Sequence, residues 1–278
     1  MIRVYHTPTG IHLEHDGERR DAQLTIDALF RADEPFDLLR AAWESGSPAD
    51  LSEELLAPIG SQEVWAAGVT YYRSRTARME ESEEAGGDRF YDLVYDAERP
   101  ELFFKATARR VRAPGATVGI RSDSTWDVPE PELTLAINKK GKVFGATIGN
   151  DMSSRSIEGE NPLYLPQAKV YSGSASLGPC LLVGSLPSPD DEITLSIARK
   201  GEEVFRGKTA VSQLKRGYDE LAGFLFKEND FPDGALLMTG TGVVPDHPFT
   251  LQTGDGVSIT IDGIGTLTNT VAPAGSIA

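Results

Sequence analysis

The sequence predicts an α+β fold that is mostly β, and three observations carry this. Apolar runs of strand length pair off across short polar turns, most clearly 133–137 with 143–148 and 193–198 with 203–207. The regular strand–helix–strand alternation of a doubly wound sheet is missing. In the second half, only residues 211–227 read as a long helix, with Leu214, Tyr218, Leu221 and Leu225 at helical spacing.

In chain order, residues 1–60 read as a small N-terminal α/β unit. Strands are expected at 2–5 and 10–14, and a helix at 35–45, where Phe36, Leu39, Ala42 and Trp43 share one face. Gly46-Ser47-Pro48 ends that helix. His6, His12 and His15 cluster in sequence, but their spacing suits no helical metal pair, so they read as strand or surface residues. After Pro58-Ile59-Gly60 the pattern changes, and residues 61–278 read as a second, catalytic domain. A buried strand is expected at 64–69, running into Thr70-Tyr71-Tyr72. Residues 73–84 are helix-prone and charged, with bases first and acids last, an order that opposes the helix dipole. The segment reads as a mobile lid bringing Arg73, Arg75 and Arg78 to an anionic substrate, or else as a plain solvated helix. Strands at 103–105, 235–239, 257–261 and 265–271 complete the pattern.

A formal charge of -15 argues against nucleic acid or an anionic membrane as partner. Arginine outnumbers lysine, 18 to 9, and an acidic, lysine-poor surface suits a salty cytoplasm. The single cysteine, Cys180, lies in an apolar run and reads as a small core residue, not a nucleophile. One cysteine allows no intrachain disulfide and fits a reducing compartment. With no apolar signal region at the start and no run of membrane-spanning length, the expectation is a cytoplasmic protein.

Chemistry concentrates in Asp127-Val128-Pro129-Glu130-Pro131-Glu132-Leu133. In an extended chain Glu130 and Glu132 point to one face, about 6–7 Å apart. With Lys140-Gly141 as the loop, cross-strand residue numbers sum to 281 and Glu130 faces Asp151; a three-residue loop would shift that register. Three converging carboxylates repel, and a proton or a cation relieves the repulsion. Hard oxygen ligands favour Mg²⁺, Mn²⁺ or Ca²⁺. The alternative is a set of solvated acids at a strand edge.

Other chemistries find little support. Outside the first segment the one histidine is His247, in a turn-like Pro-Asp-His-Pro, which leaves a Ser-His-Asp triad or a zinc site without residues. No glycine-rich phosphate loop follows a strand, so nucleotide cofactors are not expected. What remains is a divalent ion on oxygen ligands, acting on a bound carbonyl. Arg155 and Lys169 are placed to add positive charge, and Gly240-Thr241-Gly242 to supply backbone and hydroxyl; equally, Arg155 pairs structurally with the acids and Thr241 caps a turn.

Glu130-Pro131-Glu132, Asp151-Met152-Ser153-Ser154-Arg155, Gln167-Ala168-Lys169, Ser176-Leu177-Gly178-Pro179 and Thr239-Gly240-Thr241-Gly242 together resemble the fumarylacetoacetate hydrolase family, over about 64 to 271. The resemblance implies a β-roll catalytic domain that is usually dimeric or tetrameric. It also implies Mg²⁺ (sometimes Mn²⁺ or Ca²⁺) held by Glu130, Glu132 and Asp151, with the family's metal-site lysine at Lys169 and its substrate-contacting threonine at Thr241. Substrates of the family are 2-oxo acids and 1,3-diketones.

One departure narrows the expectation. Hydrolytic members read Gly-Leu-Asn-Tyr-x-x-His, whereas Gly68-Val69-Thr70-Tyr71-Tyr72-Arg73-Ser74 puts serine where the water-activating histidine stands. Residues 94–105 and 160–167 resemble instead the branch of 2-dehydro-3-deoxy-D-arabinonate dehydratases, which make 2,5-dioxopentanoate from a 2-keto-3-deoxy-pentonate. That resemblance makes the partner a small 2-oxo sugar acid, with contacts at Tyr71, Arg75, Lys105, Gln167 and Thr241 and with Lys169 transferring the proton. The rival expectations are an acylpyruvate-type hydrolase or an oxaloacetate decarboxylase or tautomerase on the same site, and a non-enzymatic metal- or acid-binding module.

Overall fold

The computed structural model describes residues 1–51, 54–71 and 94–277. The chain opens on an antiparallel meander of β1 (Ile2–Thr7), β2 (Gly10–His15) and β3 (Glu18–Ala22). Asp16 and Gly17, both left-handed at φ 49° and 82°, form the turn into β3. That third strand, Glu-Arg-Arg-Asp-Ala, is an edge strand too polar for a hydrophobic pattern to reveal. Helix α1 (Ile26–Arg31) follows, capped by Thr25 Oγ1 on the Ala28 N–H, and then α2 (Pro35–Ser45), which has the predicted bounds with Pro35 at its first turn.

The rest of the described chain runs β4 (Glu63–Gly68), β5 (Glu101–Thr107), β6 (Val111–Arg112), β7 (Thr117–Ile120), β8 (Asp127–Ile137) and β9 (Val143–Ser154). Two short helices, α3 (Arg155–Glu160) and α4 (Leu165–Lys169), lead to β10 (Ala175–Val183), β11 (Glu192–Arg199) and β12 (Glu202–Ala210). Helix α5 (Tyr218–Leu225) precedes β13 (Ala235–Met238), β14 (Gly256–Ile261) and β15 (Gly265–Pro273). One sheet has ten strands in the order β3-β2-β1-β10-β9-β8-β13-β4-β5, with β6 beside β10; the other has five, β12-β11-β14-β15-β7. The first three strands join the larger sheet through the pairing of Ile2 with Val183.

The expected long helix over 211–227 is a correction. Only 218–225 is α-helical, so α2 is the longest described helix. The stretch before it makes its hydrogen bonds elsewhere: Ser212 N donates to Pro189 O, Lys215 N donates to Thr70 O, and Leu214 bridges Tyr71. Gly217 then starts the helix, with the Glu220 carboxylate accepting from its N–H. The Lys200-Gly201 hairpin is as expected, both residues lying at positive φ.

Strand β8 sits in the middle of the larger sheet with all eleven residues buried. Leu133 packs into the core shared with the five-stranded sheet, and Leu135 and Ile137 pack with Leu221 and Leu225 of α5. Alternation sends Glu130 and Glu132 to the opposite face, in line with Thr134 and Ala136. Pro129 and Pro131 stand among the residues whose backbone groups point away from β9, as Leu133 shows by its carbonyl accepting from both Thr239 N and Thr239 Oγ1. A missing N–H is tolerated there because β13 pairs with β8 only over 134–137.

The β8–β9 register is the expected one, but by a different route. The turn is one residue longer, closing between Asn138 and Lys142, so the pair next to it, Ile137 with Val143, sums to 280. A bulge at Phe144 adds a residue to β9 and restores 281 from Ala136–Gly145 outward, which sets Glu130 against Asp151. In a flat sheet β5 would lie four strand spacings from β9, roughly 19 Å. Lys105 of β5 nevertheless reaches Asp151, so the sheet curls over at that end.

Asn138 fixes the turn that sets this register. Its Oδ1 accepts from Lys140 N and Lys142 N, both at 3.0 Å, and its Nδ2 donates to Ala32 O at 3.0 Å and Asp33 O at 3.3 Å. Asn138→Ala leaves these buried groups unpaired, and we expect a loss of roughly 2–4 kcal/mol. Urea titration checks it: the midpoint should fall with the slope unchanged.

Candidate metal centre

The pairing of Glu130 with Asp151 and the same-face spacing of Glu132 bring three carboxylates together, one oxygen from each lying within 4.8 Å of the others. All three are buried, so the charge has to be met locally. Lys169, the last residue of α4, places Nζ 2.7 Å from Glu130 Oε2 and 3.2 Å from Asp151 Oδ2, and donates to Ser153 Oγ at 2.5 Å. Arg155, first in α3, donates from Nη2 to Glu130 Oε1 at 2.8 Å. Lys105 Nζ ion-pairs with Asp151 Oδ1. A fourth buried acid, Glu158, stands 3.5 Å from Lys169 Nζ.

Glu132 is held differently. Its Oε2 accepts from Gly240 N–H at 2.5 Å. Gly240 lies at φ 95°, and a Cβ there would run into Thr70 Oγ1, which itself donates to Thr239 O. Only glycine therefore lets this backbone approach the acid. Burial holds the Glu132 carboxyl well above its usual range, and the negative Asp151 and Glu130 push it further the same way. Burial also pushes the Lys105 ammonium below its usual range, against the pull of Asp151. A dry set of carboxylate oxygens, one of them costly to ionise without added positive charge, fits a hard divalent cation.

The cradle opens into a narrow cleft walled by Ala67, Gly68, Val69 and Phe103 of the β4–β5 side and by Thr241. Val69 is held at φ 52°, a left-handed conformation costly for a β-branched residue, at the point where β4 turns away from the cleft. Gly68 leaves room for the Glu101 carboxylate, which would collide with any Cβ at that position.

Among the residues expected to contact substrate, Thr241 lines the cleft and donates its hydroxyl to Val243 O at 3.0 Å. Tyr71 is wholly buried and off the cleft lining, its phenol made less acidic by burial and by Glu132. Lys105 has no exposed surface and sits behind Asp151, off the cleft wall, since an ammonium with acceptors below the sheet has no reason to face the solvent. Gln167 is exposed on α4, away from the cleft lining, and its carbonyl accepts from Arg121. Arg75, with Arg73, Ser74 and Arg78 of the expected lid, lies outside the described residues. Cys180 is a core residue whose thiol is pushed up to about 12 by burial. His247 packs edge-on against Trp126.

Sequence reasoning missed Ser153, Glu158, Phe103 and Glu101. The first two carried a usable signal: Ser153 is two residues from Asp151 on a strand, and Glu158 is one helical turn from Arg155.

The model for the C-terminal domain of fumarylacetoacetate (FAA) hydrolase matches residues 70–272. The chain belongs to the fumarylacetoacetate hydrolase family. Within it, the chain is 51% identical over 216 residues to a probable 2-keto-3-deoxyxylonate dehydratase of Haloferax volcanii, covering 77% of this chain and 73% of that one. It is 42% identical over 213 residues to the 2-dehydro-3-deoxy-D-arabinonate dehydratase of Saccharolobus solfataricus, covering 76% and 72%. A solved structure of a 2-keto-3-deoxy-D-arabinonate dehydratase, complexed with magnesium and 2,5-dioxopentanoate, superposes with a TM-score of 0.80 at 32% identity, covering 98% of each chain. The apo form of that enzyme gives 0.83. The fold of this family member is therefore the expected fumarylacetoacetate hydrolase-like α+β fold, mostly β.

A further acid of this family member, Asp127, opens β8 and is buried, which raises its carboxyl to about 6. A raised carboxylate pKa means that the folded state binds the proton more tightly than the unfolded chain. Its contribution to stability is present at low pH and is lost as pH rises from about 4 to about 6. Asp127→Asn removes that dependence. The melting temperature of the variant relative to wild type should rise between pH 4 and pH 7, and thermal scans across that range check it.

Proposed function

We propose that the chain is a Mg²⁺-dependent hydro-lyase that converts a 2-keto-3-deoxy-pentonate to 2,5-dioxopentanoate in oxidative pentose breakdown. The observation that carries this reading is the Lys169 ammonium lying on two of three buried, converging carboxylates at the floor of the cleft. The Mg²⁺ complex of the 32%-identical dehydratase supports the metal, and the names of the relatives support the substrate class.

Glu130, Glu132 and Asp151 hold the ion. When bound, Mg²⁺ supplies a Lewis acid that polarises a chelated 2-oxo acid and makes its C3 protons acidic. Once its ammonium has given up a proton, the Lys169 amine can take one from C3, with Ser153 Oγ positioning its Nζ. The C4 hydroxyl leaves, taking up a proton as water, and a C3=C4 double bond forms. Moving one proton from C5 to C3 gives the C4=C5 enol, and moving the C5 hydroxyl proton to C4 turns that enol into the aldehyde, so the whole sequence loses one water and no electrons. Thr241 faces the cleft as a substrate contact. Arg75 belongs to this reading as a contact for the sugar-acid chain, whereas Gln167, exposed away from the cleft, does not.

The same reading makes the protein a cytoplasmic homodimer or homotetramer with no membrane or nucleic-acid partner. Among the described residues, no helix is long and apolar enough to cross a membrane. It also divides the chain at 60/61, since the family match and all three acids of the cradle fall in residues 61–278.

Turnover of 2-keto-3-deoxy-pentonates and of acylpyruvates and oxaloacetate, side by side with Mg²⁺, tests the reaction. Dehydration should have the larger kcat/KM, and faster acylpyruvate cleavage would replace this reading by the hydrolase one. Glu132→Gln should lower Mg²⁺ affinity at least tenfold in calorimetry, and unchanged binding would remove Glu132 from the ligand set. Lys169→Met should fold and bind Mg²⁺ yet lose roughly 10²-fold or more in kcat. Exchange of the C3 protons of a bound 2-oxo acid with solvent, followed by NMR, should slow in parallel. Near-normal exchange would make Lys169 structural.

A further inference from the structure

Each acid of the cradle gives one oxygen to a fixed donor of the protein. Glu130 Oε1 receives Arg155 Nη2 at 2.8 Å, Glu132 Oε2 receives Gly240 N–H at 2.5 Å, and Asp151 Oδ1 is ion-paired with Lys105 Nζ. The other oxygens are Glu130 Oε2, Glu132 Oε1 and Asp151 Oδ2; the first and last are held by Lys169 Nζ, which lines the cleft, so a cation entering there takes over these Lys169 contacts and leaves the three fixed donors in place. Each carboxylate can therefore offer a cation one oxygen.

Lys105 stands apart from the other two donors. Its ammonium is wholly buried and, besides the ion pair, donates to Lys169 O at 2.5 Å and Met152 O at 3.0 Å. It does not line the cleft, whereas Arg155 does and the Gly240 donor is backbone. It shares the inner face of β5 with Phe103, whose ring lies 5.7 Å from Lys169 Nζ. The edge strand thus holds both Asp151 and the α4 end that carries Lys169.

We propose that Lys105 is a positioning residue that sets metal selectivity: by engaging Asp151 Oδ1 it confines Asp151 to single-oxygen ligation and so favours Mg²⁺ over Ca²⁺. Mg²⁺ demands octahedral geometry at about 2.0–2.1 Å, which single carboxylate oxygens satisfy. Ca²⁺ takes about 6–8 oxygens at about 2.3–2.6 Å and gains from two-oxygen ligation by a carboxylate. This inference rests on the metal-site part of the function proposed above and is independent of the reaction catalysed.

Calorimetry of Mg²⁺ and Ca²⁺ without substrate, on wild type and Lys105→Met, tests it. Methionine keeps the length and removes the donor, which frees Oδ1. The ratio of Ca²⁺ to Mg²⁺ affinity should rise at least tenfold in the variant, a change that general loosening of the fold would not produce because it weakens both ions together. An unchanged ratio overturns the assignment while leaving the metal site intact. A crystal structure of the Ca²⁺-loaded wild type decides the matter even where Lys105→Met does not fold. Asp151 should bind the ion through Oδ2 alone with Oδ1 still on Lys105, and two-oxygen ligation by Asp151 overturns the proposal. A wild type that binds neither ion overturns the metal reading together with this one, whereas absence of dehydratase turnover alongside normal Mg²⁺ binding touches the reaction only.

Discussion

Buried carboxylates a few ångströms apart repel one another strongly in a medium that screens poorly, and burying them unpaired costs more than a domain has to spare. Three such acids ion-pair here with one lysine, a fourth, Glu132, stands beside them, and three cations answer the set. The cations come from separate parts of the chain: Lys105 from an edge strand, Arg155 from α3 and Lys169 from α4. Meeting the charge therefore dictates architecture. The two short helices after β9 carry the bases back over the acids that β8 and β9 present, and the larger sheet curls until β5 touches the far side of the same cluster. The charge left over, centred on Glu132, is the opening for a divalent ion.

Much of this was legible in the sequence, for identifiable reasons. The acids could be found because strand alternation is strict and the β8–β9 hairpin is long and apolar, so few registers were possible. The correct register nonetheless came from two departures that cancel, a longer turn and a bulge at Phe144, neither of which a pattern of apolar residues encodes. The N-terminal helix was legible from its proline, its apolar face and its terminal Gly-Ser-Pro. The helix at 211–227 was overestimated because helical spacing in Leu214 and Tyr218 says nothing about Thr70 and Pro189 competing for the backbone N–H groups. Lys105 was singled out from sequence, but its burial behind Asp151 depends on the curl of the sheet. That curl is a property of strand order, and no local stretch records it.

The backbone also does work that side chains cannot. Gly240 brings an N–H to Glu132 because its φ and the nearness of Thr70 exclude a Cβ, and Gly68 gives way to Glu101 in the same manner. Val69 pays conformational energy at the rim of the cleft, where the chain leaves the β4 line. These positions lie on the strands and loops facing the hairpin, so the ion cradle and the wall of the cleft are built by different segments. The fold can keep the first while the second changes.

Prolines 129 and 131 have a bearing on what the protein avoids. Both fall among the β8 residues whose backbone faces away from β9, on the stretch that β13 leaves uncovered. A central strand whose flank has no ladder partner is, whenever the surrounding chain opens, an invitation to any extended segment to add itself by main-chain pairing. Prolines at alternate positions remove the donors such a segment would need, on the one side where they would be reached. The gap beside the acids is thereby reserved for small molecules, which need no ladder of N–H groups to bind, and is closed to polypeptide.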